Sequence, residues 1–294
     1  MKLAGWLPMV WEIVKTDIAA WLNDLRLRLF SVTDTPGLDA EVLLAHTLNV
    51  NRAYLSAHRD EEIQTDILPG LESKIQELEN GSPLPYVIGE WEFYGLSFVV
   101  NPAVLIPRPE TELLVEQAIQ WLNDHPRQRT ALDAGTGTGC IPISISIHNP
   151  GCSWLATDIS VPALDIAAQN IRRYKQENRI ALMQADILEG VSGTFDLICS
   201  NPPYIPTSLY QTLPVARYEP RLALDGGEDG LKIITKFLQQ AARLIASPGL
   251  ILCEIEETLG PQAEELAGSL FPQAAIQVLP DLAGKPRLLK VELA

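Results

Sequence analysis

Ser200-Asn201-Pro202-Pro203-Tyr204 follows the apolar run FDLIC, and its residue types suit one task, holding a planar NH2 group still. Proline lacks a backbone NH, and the residue before a proline is pushed into extended backbone. Asn201-Pro202-Pro203 is therefore a stiff segment whose carbonyl groups are free to accept. The Asn201 side-chain oxygen and the Pro202 carbonyl can direct both hydrogens of an NH2 nitrogen and leave its face open to a reaction partner, while Tyr204 stacks on the planar group. If that group is an amide, its nitrogen is a poor nucleophile because the lone pair is delocalised. Positioning and electrostatics, rather than a strong base, must then supply the catalysis.

Three further groups of residues read as a nucleoside site. In Asp133-Ala134-Gly135-Thr136-Gly137-Thr138-Gly139 the glycines permit a tight turn and bring bare backbone close to a ligand at a helix N-terminus. Asp158, 25 residues after Asp133, can accept hydrogen bonds from both hydroxyls of a ribose. Asp186 and Ile187 suit an adenine amino group and a ring face. Singly, each has a plainer explanation: close packing for the glycines, helix caps for Asp158 or Asp186, a rigid turn for the prolines. Their joint order argues against those explanations. A dinucleotide fingerprint fails because its third glycine position, 140, is Cys, and a phosphate loop fails because no Gly-Lys-Ser/Thr follows. Glycines at alternate positions, with an acid ending the next strand, resemble the S-adenosylmethionine site of class I methyltransferases.

These residues stand at the ends of predicted strands. From residue 106 onward strands and helices alternate, with strands at 130–134, 153–158, 179–186, 195–200 and 249–255. Such a pattern predicts an α/β, doubly wound sheet, whose ligands sit beyond the carboxyl ends of the strands where strand order reverses. After a helix starting near Pro261, runs at 276–280 and 287–293 are joined by a short loop, so the last pair is expected to be antiparallel. Residues 1–85 read as a small helical domain. Segments 39–50 and 68–80 carry apolar residues at helical spacing, including Leu71, Ile75 and Leu78, with Asp39 and Pro69 as start signals. Residues 86–105, rich in aromatic and branched side chains around Gly95, read as a hairpin linking this domain to a catalytic domain at 106–294.

Composition bounds the rest. The 294 residues, 47% hydrophobic and 20% charged, are those of a globular protein with a sizeable core and two domains. A net charge of −15 without a basic patch argues against life on nucleic acid and favours a protein or small-molecule partner. Cys140, Cys152, Cys199 and Cys253 stand singly, and the four histidines are scattered, so neither a metal site nor a disulfide framework is expected. The N-terminal stretch MKLAGWLPMVWEIVKTDIAAW is broken by Pro8, Glu12, Lys15 and Asp17; it reads neither as a signal peptide nor as a membrane span, and the protein is expected to be cytoplasmic.

Over nearly its whole length the chain resembles the peptide-chain release factor glutamine methyltransferases, the HemK or PrmC type. Besides LDAGTGTG and SNPPY, the likeness rests on DAEVLLAH (39–46), PLPYVIGEWEFYGLSFVVNPAVLIPRPETELLVE (83–116), YEPRLALDGGEDGL (218–231) and DLAGKPR (281–287). The resemblance implies a class I, Rossmann-like methyltransferase sheet with an antiparallel last strand plus an N-terminal helical domain. It implies S-adenosyl-L-methionine as cofactor and, as substrate, the glutamine side-chain nitrogen in the Gly-Gly-Gln tip of release factors. By resemblance Gly135, Thr136, Gly137, Thr138, Gly139, Asp158 and Ile187 hold the cofactor, Asn201 faces cofactor and glutamine, and Pro202, Pro203 and Tyr204 complete the clamp. The chain departs from the family at Glu254-Ile255-Glu256, where Glu-Xaa-Gly is frequent, and at Ile187, where an aromatic is frequent. A close relative methylates glutamine in a ribosomal protein, and Asn-Pro-Pro-Tyr also serves adenine N6 methyltransferases; IPRPETE (106–112), the acidic charge and the small helical domain favour release factors.

Overall fold

In a computed structural model, which describes residues 17–127 and 129–294, the chain forms two compact units, Met1–Ile88 and Gly89–Ala294. Pro8, Glu12 and Lys15, on which the reading of the N-terminal stretch rested, lie outside the described residues. The first unit is helical: α1 (Ile18–Leu29), α2 (Pro36–Leu48), α3 (Arg52–Ala57), α4 (Leu68–Glu79) and α5 (Leu84–Ile88). Asp17 caps α1 by accepting from the Ala20 N–H at 2.8 Å. Thr35, not Asp39, is the N-cap of α2; Asp39 sits in the first turn and accepts from the hydroxyls of Thr33 and Thr35. Leu71, Ile75 and Leu78 are buried on one side of α4, as their spacing requires.

The second unit opens with a hairpin, β1 (Glu90–Phe93) and β2 (Leu96–Val99). Its turn puts Tyr94 and Gly95 at positive φ, the geometry that lets two residues reverse a twisted ribbon. Phe93 and Phe98 are buried in the same core as Leu114 and Trp121 of α6 (Glu112–Asp124). The sheet and its crossovers follow as β3 (Arg129–Ala134), α7 (Cys140–His148), β4 (Cys152–Asp158), α8 (Val161–Arg173), β5 (Ile180–Gln184) and β6 (Phe195–Ser200). Then come β7 (Ile205–Pro206), α9 (Thr207–Tyr210), β8 (Asp225–Gly227), α10 (Lys232–Ala241), β9 (Ile245–Glu254), α11 (Gly260–Leu270), β10 (Ala275–Pro280) and β11 (Pro286–Leu293).

The main sheet runs β10-β11-β9-β6-β3-β4-β5. From β3 the chain builds outward through β4 and β5, then crosses back to lay β6 on the other side, so strand order reverses at β3. β11 is antiparallel to both neighbours, as the short β10–β11 connection demands. β3 and β6 bury all but one residue each and β9 buries its last six, on both faces, the pattern of strands covered by helices on each side. All four cysteines are buried and free. Three elements differ from expectation: β5 ends at Gln184, so Asp186 and Ile187 lie beyond it; β9 begins at Ile245 rather than 249; and residues 86–88, expected in the hairpin, close α5, the strands spanning only Glu90–Phe93 and Leu96–Val99.

Candidate active site

Sheet register brings the separate sequence motifs to one edge. Ala134, the last residue of β3, pairs with Ser200 of β6 and with Thr157 of β4. Ser200 in turn pairs with Cys253 of β9, and Asp158 pairs with Gln184 of β5. The next residue on each strand is then Gly135, Asn201, Asp158 or Glu254. The Ser200 hydroxyl donates to the Ala134 carbonyl at 2.8 Å, fastening the two loops where they leave the sheet.

The glycine turn is shaped by its missing side chains. Gly135 and Gly137 have φ of 73° and 54°, values that glycine adopts without penalty, and a Cβ on either would meet nothing within 4 Å. Bare backbone therefore faces an open cavity of about 310 Å3, lined among others by Gly135, Thr136, Gly137, Thr138, Asp158, Asp186, Ile187, Asn201 and Pro203. Gly139 serves packing instead: a Cβ there would stand 3.3 Å from Ile143 Cδ1. The buried Asn170 amide holds the turn from behind, donating to the carbonyls of Thr138 (2.9 Å) and Val99 (3.1 Å) and accepting from the Val99 N–H (2.8 Å).

Three carboxylates line or underlie this cavity. Asp158 accepts from the Gly137 N–H through Oδ2 and from the Ser160 N–H through Oδ1, both at 2.9 Å, so each oxygen keeps a lone pair for a ligand. Burial pushes its carboxyl up, against the downward pull of the backbone N–H groups of Ser160, Gly137 and Ile159. Asp133, beneath the turn, is fully buried with neither oxygen paired among the described residues, and burial pushes it up to about 7. Asp186 lines the cavity, yet its Oδ2 lies 2.5 Å from Lys236 Nζ. Ile187 stands beside it at φ 61°, a strained conformation for a branched residue, with its carbonyl held by the Thr157 hydroxyl at 2.7 Å. This donor set fits S-adenosylmethionine: a nucleoside with ribose hydroxyls, carrying positive charge that buried carboxylates attract and turn glycines leave room for.

At the neighbouring strand end, Asn201 donates through Nδ2 to Thr111 Oγ1 at 2.9 Å. Thr111 donates to Glu254 Oε2 at 2.6 Å, and Tyr204 donates its hydroxyl to Glu254 Oε1 at 3.1 Å. Thr111 and Glu254 are 2% and 1% exposed, so the bond between them is buried, while Asn201 and Thr111 also line the cavity. Burial pushes Glu254 up to about 7, partly offset by the Thr111 and Tyr204 hydroxyls and Arg287. Pro202 is buried, and no donor among the described residues pairs with its carbonyl. Tyr204 is turned toward Glu254 and the sheet core rather than lining the cavity. From sequence alone Thr111, Glu254 and Asn170 had no role in the site; each acts through tertiary hydrogen bonds that no local motif signals.

Glycines at 226 and 230 fit against the Asn-Pro-Pro-Tyr segment. A Cβ on Gly226 would come within 2.7 Å of Tyr204 Cα, and one on Gly230 within 2.4 Å of the Tyr204 carbonyl oxygen. Arg108 also lines the cavity and forms an ion pair with the buried Glu219, whose other oxygen accepts from the Ile106 N–H at 3.2 Å. No group of His, Cys, Asp and Glu among the described residues is placed to hold a metal ion, and no described helix is long and apolar enough to cross a membrane.

Two family models match the chain: a PrmC N-terminal domain over residues 20–89 and a Methyltransferase small domain over 109–213. A release factor glutamine methyltransferase of Rhodopirellula baltica is 36% identical over 292 residues, covering 97% of this chain and 97% of the relative. One of Moorella thermoacetica is 40% identical over 256 residues, covering 86% of this chain and 90% of the relative. Among solved structures, a T. thermophilus 16S rRNA methyltransferase in complex with AdoMet and guanosine matches with a TM-score of 0.52 and 17% identity, covering 70% of this chain and 50% of that one; this likeness concerns the fold. Matches of this identity across nearly the full length, on a sheet whose register assembles the expected motifs, place the chain in the family of release factor glutamine methyltransferases.

Proposed function

We propose that this protein transfers a methyl group from S-adenosylmethionine to the side-chain amide nitrogen of the glutamine in the Gly-Gly-Gln tip of peptide-chain release factors. The observation that carries this reading is the pairing of Ala134 with Ser200, which sets the glycine turn and Asn201 side by side at the strand-order reversal. The cofactor, when bound, supplies an electrophilic methyl group. Gly135, Thr136, Gly137 and Thr138 line its place, the spare lone pairs of Asp158 take the ribose hydroxyls, and Ile187 and Asp186 border the base.

On the substrate side, Asn201 Oδ1 and the Pro202 carbonyl each accept one hydrogen of the glutamine NH2, turning the nitrogen's face toward the methyl group. Pro203 lines the cavity, and Tyr204 anchors the segment through Glu254. No strong base is needed: once nitrogen has gained the methyl it is cationic, and its surplus proton leaves to solvent. Positioning therefore carries most of the acceleration. The matching relatives, named for release factors, support that substrate, and a cytoplasmic site of action accords with it. The acidic charge of −15 supports a protein substrate rather than a nucleic acid.

Incubation with methyl-labelled cofactor and, separately, a release factor, a ribosomal protein and DNA tests the reading. Label in the release factor supports it; label confined to either alternative refutes it.

A further inference from the structure

The sense of the Asn201 amide matters because its two ends are chemically opposite: oxygen accepts, nitrogen donates. A substrate NH2 has only hydrogens to offer, so the clamp works when Oδ1 faces the cavity and fails when Nδ2 does. The buried hydrogen bonds behind Asn201 decide between these states. Ionised Glu254 can only accept, so the Thr111 hydroxyl spends its one hydrogen on Glu254 Oε2 at 2.6 Å. What Thr111 offers Asn201 is then a lone pair, which Nδ2 fills at 2.9 Å. The amide oxygen is left pointing the other way, with no partner for it among the described residues.

We propose that Thr111 and Glu254 form a polarity lock, positioning residues that fix Asn201 with its oxygen toward the substrate amide. This inference rests on the methyl-transfer reading for the role of Asn201, but the lock itself is a property of the protein alone. It also gives a use to a carboxylate at a site 1% exposed, where burying charge is costly. Protonated Glu254 becomes a donor, the Thr111 hydroxyl is freed to donate to Asn201, and the amide is no longer held in one sense. Around Glu254 stand Thr111, Tyr204, Arg287, Glu110 and the thiols of Cys140 and Cys253. The balance of these surroundings raises its carboxyl toward neutrality, so the lock engages as pH rises through about 7 and releases as pH falls.

Two measurements test the lock. Thr111→Val keeps the shape of the side chain and removes the hydroxyl; it should lower kcat on the order of 10- to 100-fold with little change in cofactor Kd, and Thr111→Ser should recover most of the loss. Glu254→Gln cannot ionise, and its amide can present either oxygen or nitrogen to Thr111, so it should lower kcat in the alkaline range and flatten the acidic limb of the kcat profile. Independently of turnover, nitrogen-15 NMR of the Asn201 side-chain NH2, identified by its loss in Asn201→Asp, should show one hydrogen-bonded proton whose shift follows pH in the native protein and not in Glu254→Gln or Thr111→Val. An Asn201 signal indifferent to pH and to Thr111→Val would overturn the lock whether or not any substrate is methylated. Undiminished kcat in a folded Thr111→Val protein that methylates release factor would overturn it as well. An inactive native enzyme with the expected NMR behaviour would instead refute the substrate reading and leave the lock supported.

Discussion

The Gly137 backbone N–H donates to Asp158 Oδ2 at 2.9 Å, so the acid that ends β4 also closes the glycine turn that follows β3. One carboxylate thus shapes the cradle and, in the proposed function, grips the ribose. Asp158→Ala should weaken cofactor binding by a few kcal/mol, the sum of one or two charge-assisted hydrogen bonds, while far-UV circular dichroism stays native. Asp158→Asn, which keeps one acceptor, should lose less. Titration calorimetry decides; unchanged affinity in folded Asp158→Ala would remove Asp158 from the site.

Gly230 and Gly268 should respond oppositely to alanine. A Cβ on Gly230 would press to 2.4 Å from the Tyr204 carbonyl oxygen and sits at φ 79°, whereas one on Gly268 in α11 meets nothing within 4 Å. Gly230→Ala should displace the Asn-Pro-Pro-Tyr segment and lower kcat at least tenfold by the usual cost of misplaced groups. Gly268→Ala should raise stability by about 0.5–1 kcal/mol without changing turnover. Thermal melts and steady-state kinetics on both proteins check the contrast.

The motifs were legible because each is a local rule: glycine where backbone must turn left-handed or lie bare, proline where an N–H must be absent, an acid at a strand end. The seven main strands and the antiparallel final pair followed from period and connection length. What the sequence could not show was register. Nothing local says that Ser200 pairs with Cys253, so Glu254 did not emerge as a neighbour of Asn201, nor Thr111, 90 residues away in sequence, as its partner. Asn170 was hidden likewise, as a polar residue on an amphipathic helix whose partners lie on Thr138 and Val99. Tyr204 read as a stacking ring, while the structure shows its hydroxyl committed to Glu254.

Asp196 should contribute stability that depends on pH. Burial pushes its carboxyl up, but the Thr130 N–H and the Arg129 guanidinium at 2.8 Å outweigh that and hold it below its ordinary value. A depressed folded value means that the stabilisation is present above the unfolded carboxylate range, near pH 4, and is lost as pH falls through the folded value. Asp196→Ala leaves Arg129, 4% exposed in its side chain, without its carboxylate and should cost about 3 kcal/mol at pH 7. Urea unfolding at pH 7 and pH 3 should show the gap between native and variant proteins narrowing in acid.

Selectivity among glutamines requires contacts beyond a clamp that reads only an NH2 group. We expect the helical unit to supply them by docking on the release factor away from its tip. A chain starting at Gly89 should still bind cofactor but methylate intact release factor with a much higher KM, and its deficit on a short Gly-Gly-Gln peptide should be far smaller. Equal KM values for the intact protein before and after truncation would assign the helical unit another role.

The central claim is that Asn201 and Pro202 present a glutamine amide to the methyl group of S-adenosylmethionine. Mass-spectrometric mapping of a release factor methylated by this protein tests it most directly, with Asn201→Ala run beside the native chain. The account predicts a single methyl on the side-chain nitrogen of the Gly-Gly-Gln glutamine, made by the native protein and nearly abolished in the variant while cofactor binding persists. A methyl on any other atom, or undiminished transfer by Asn201→Ala, would contradict it.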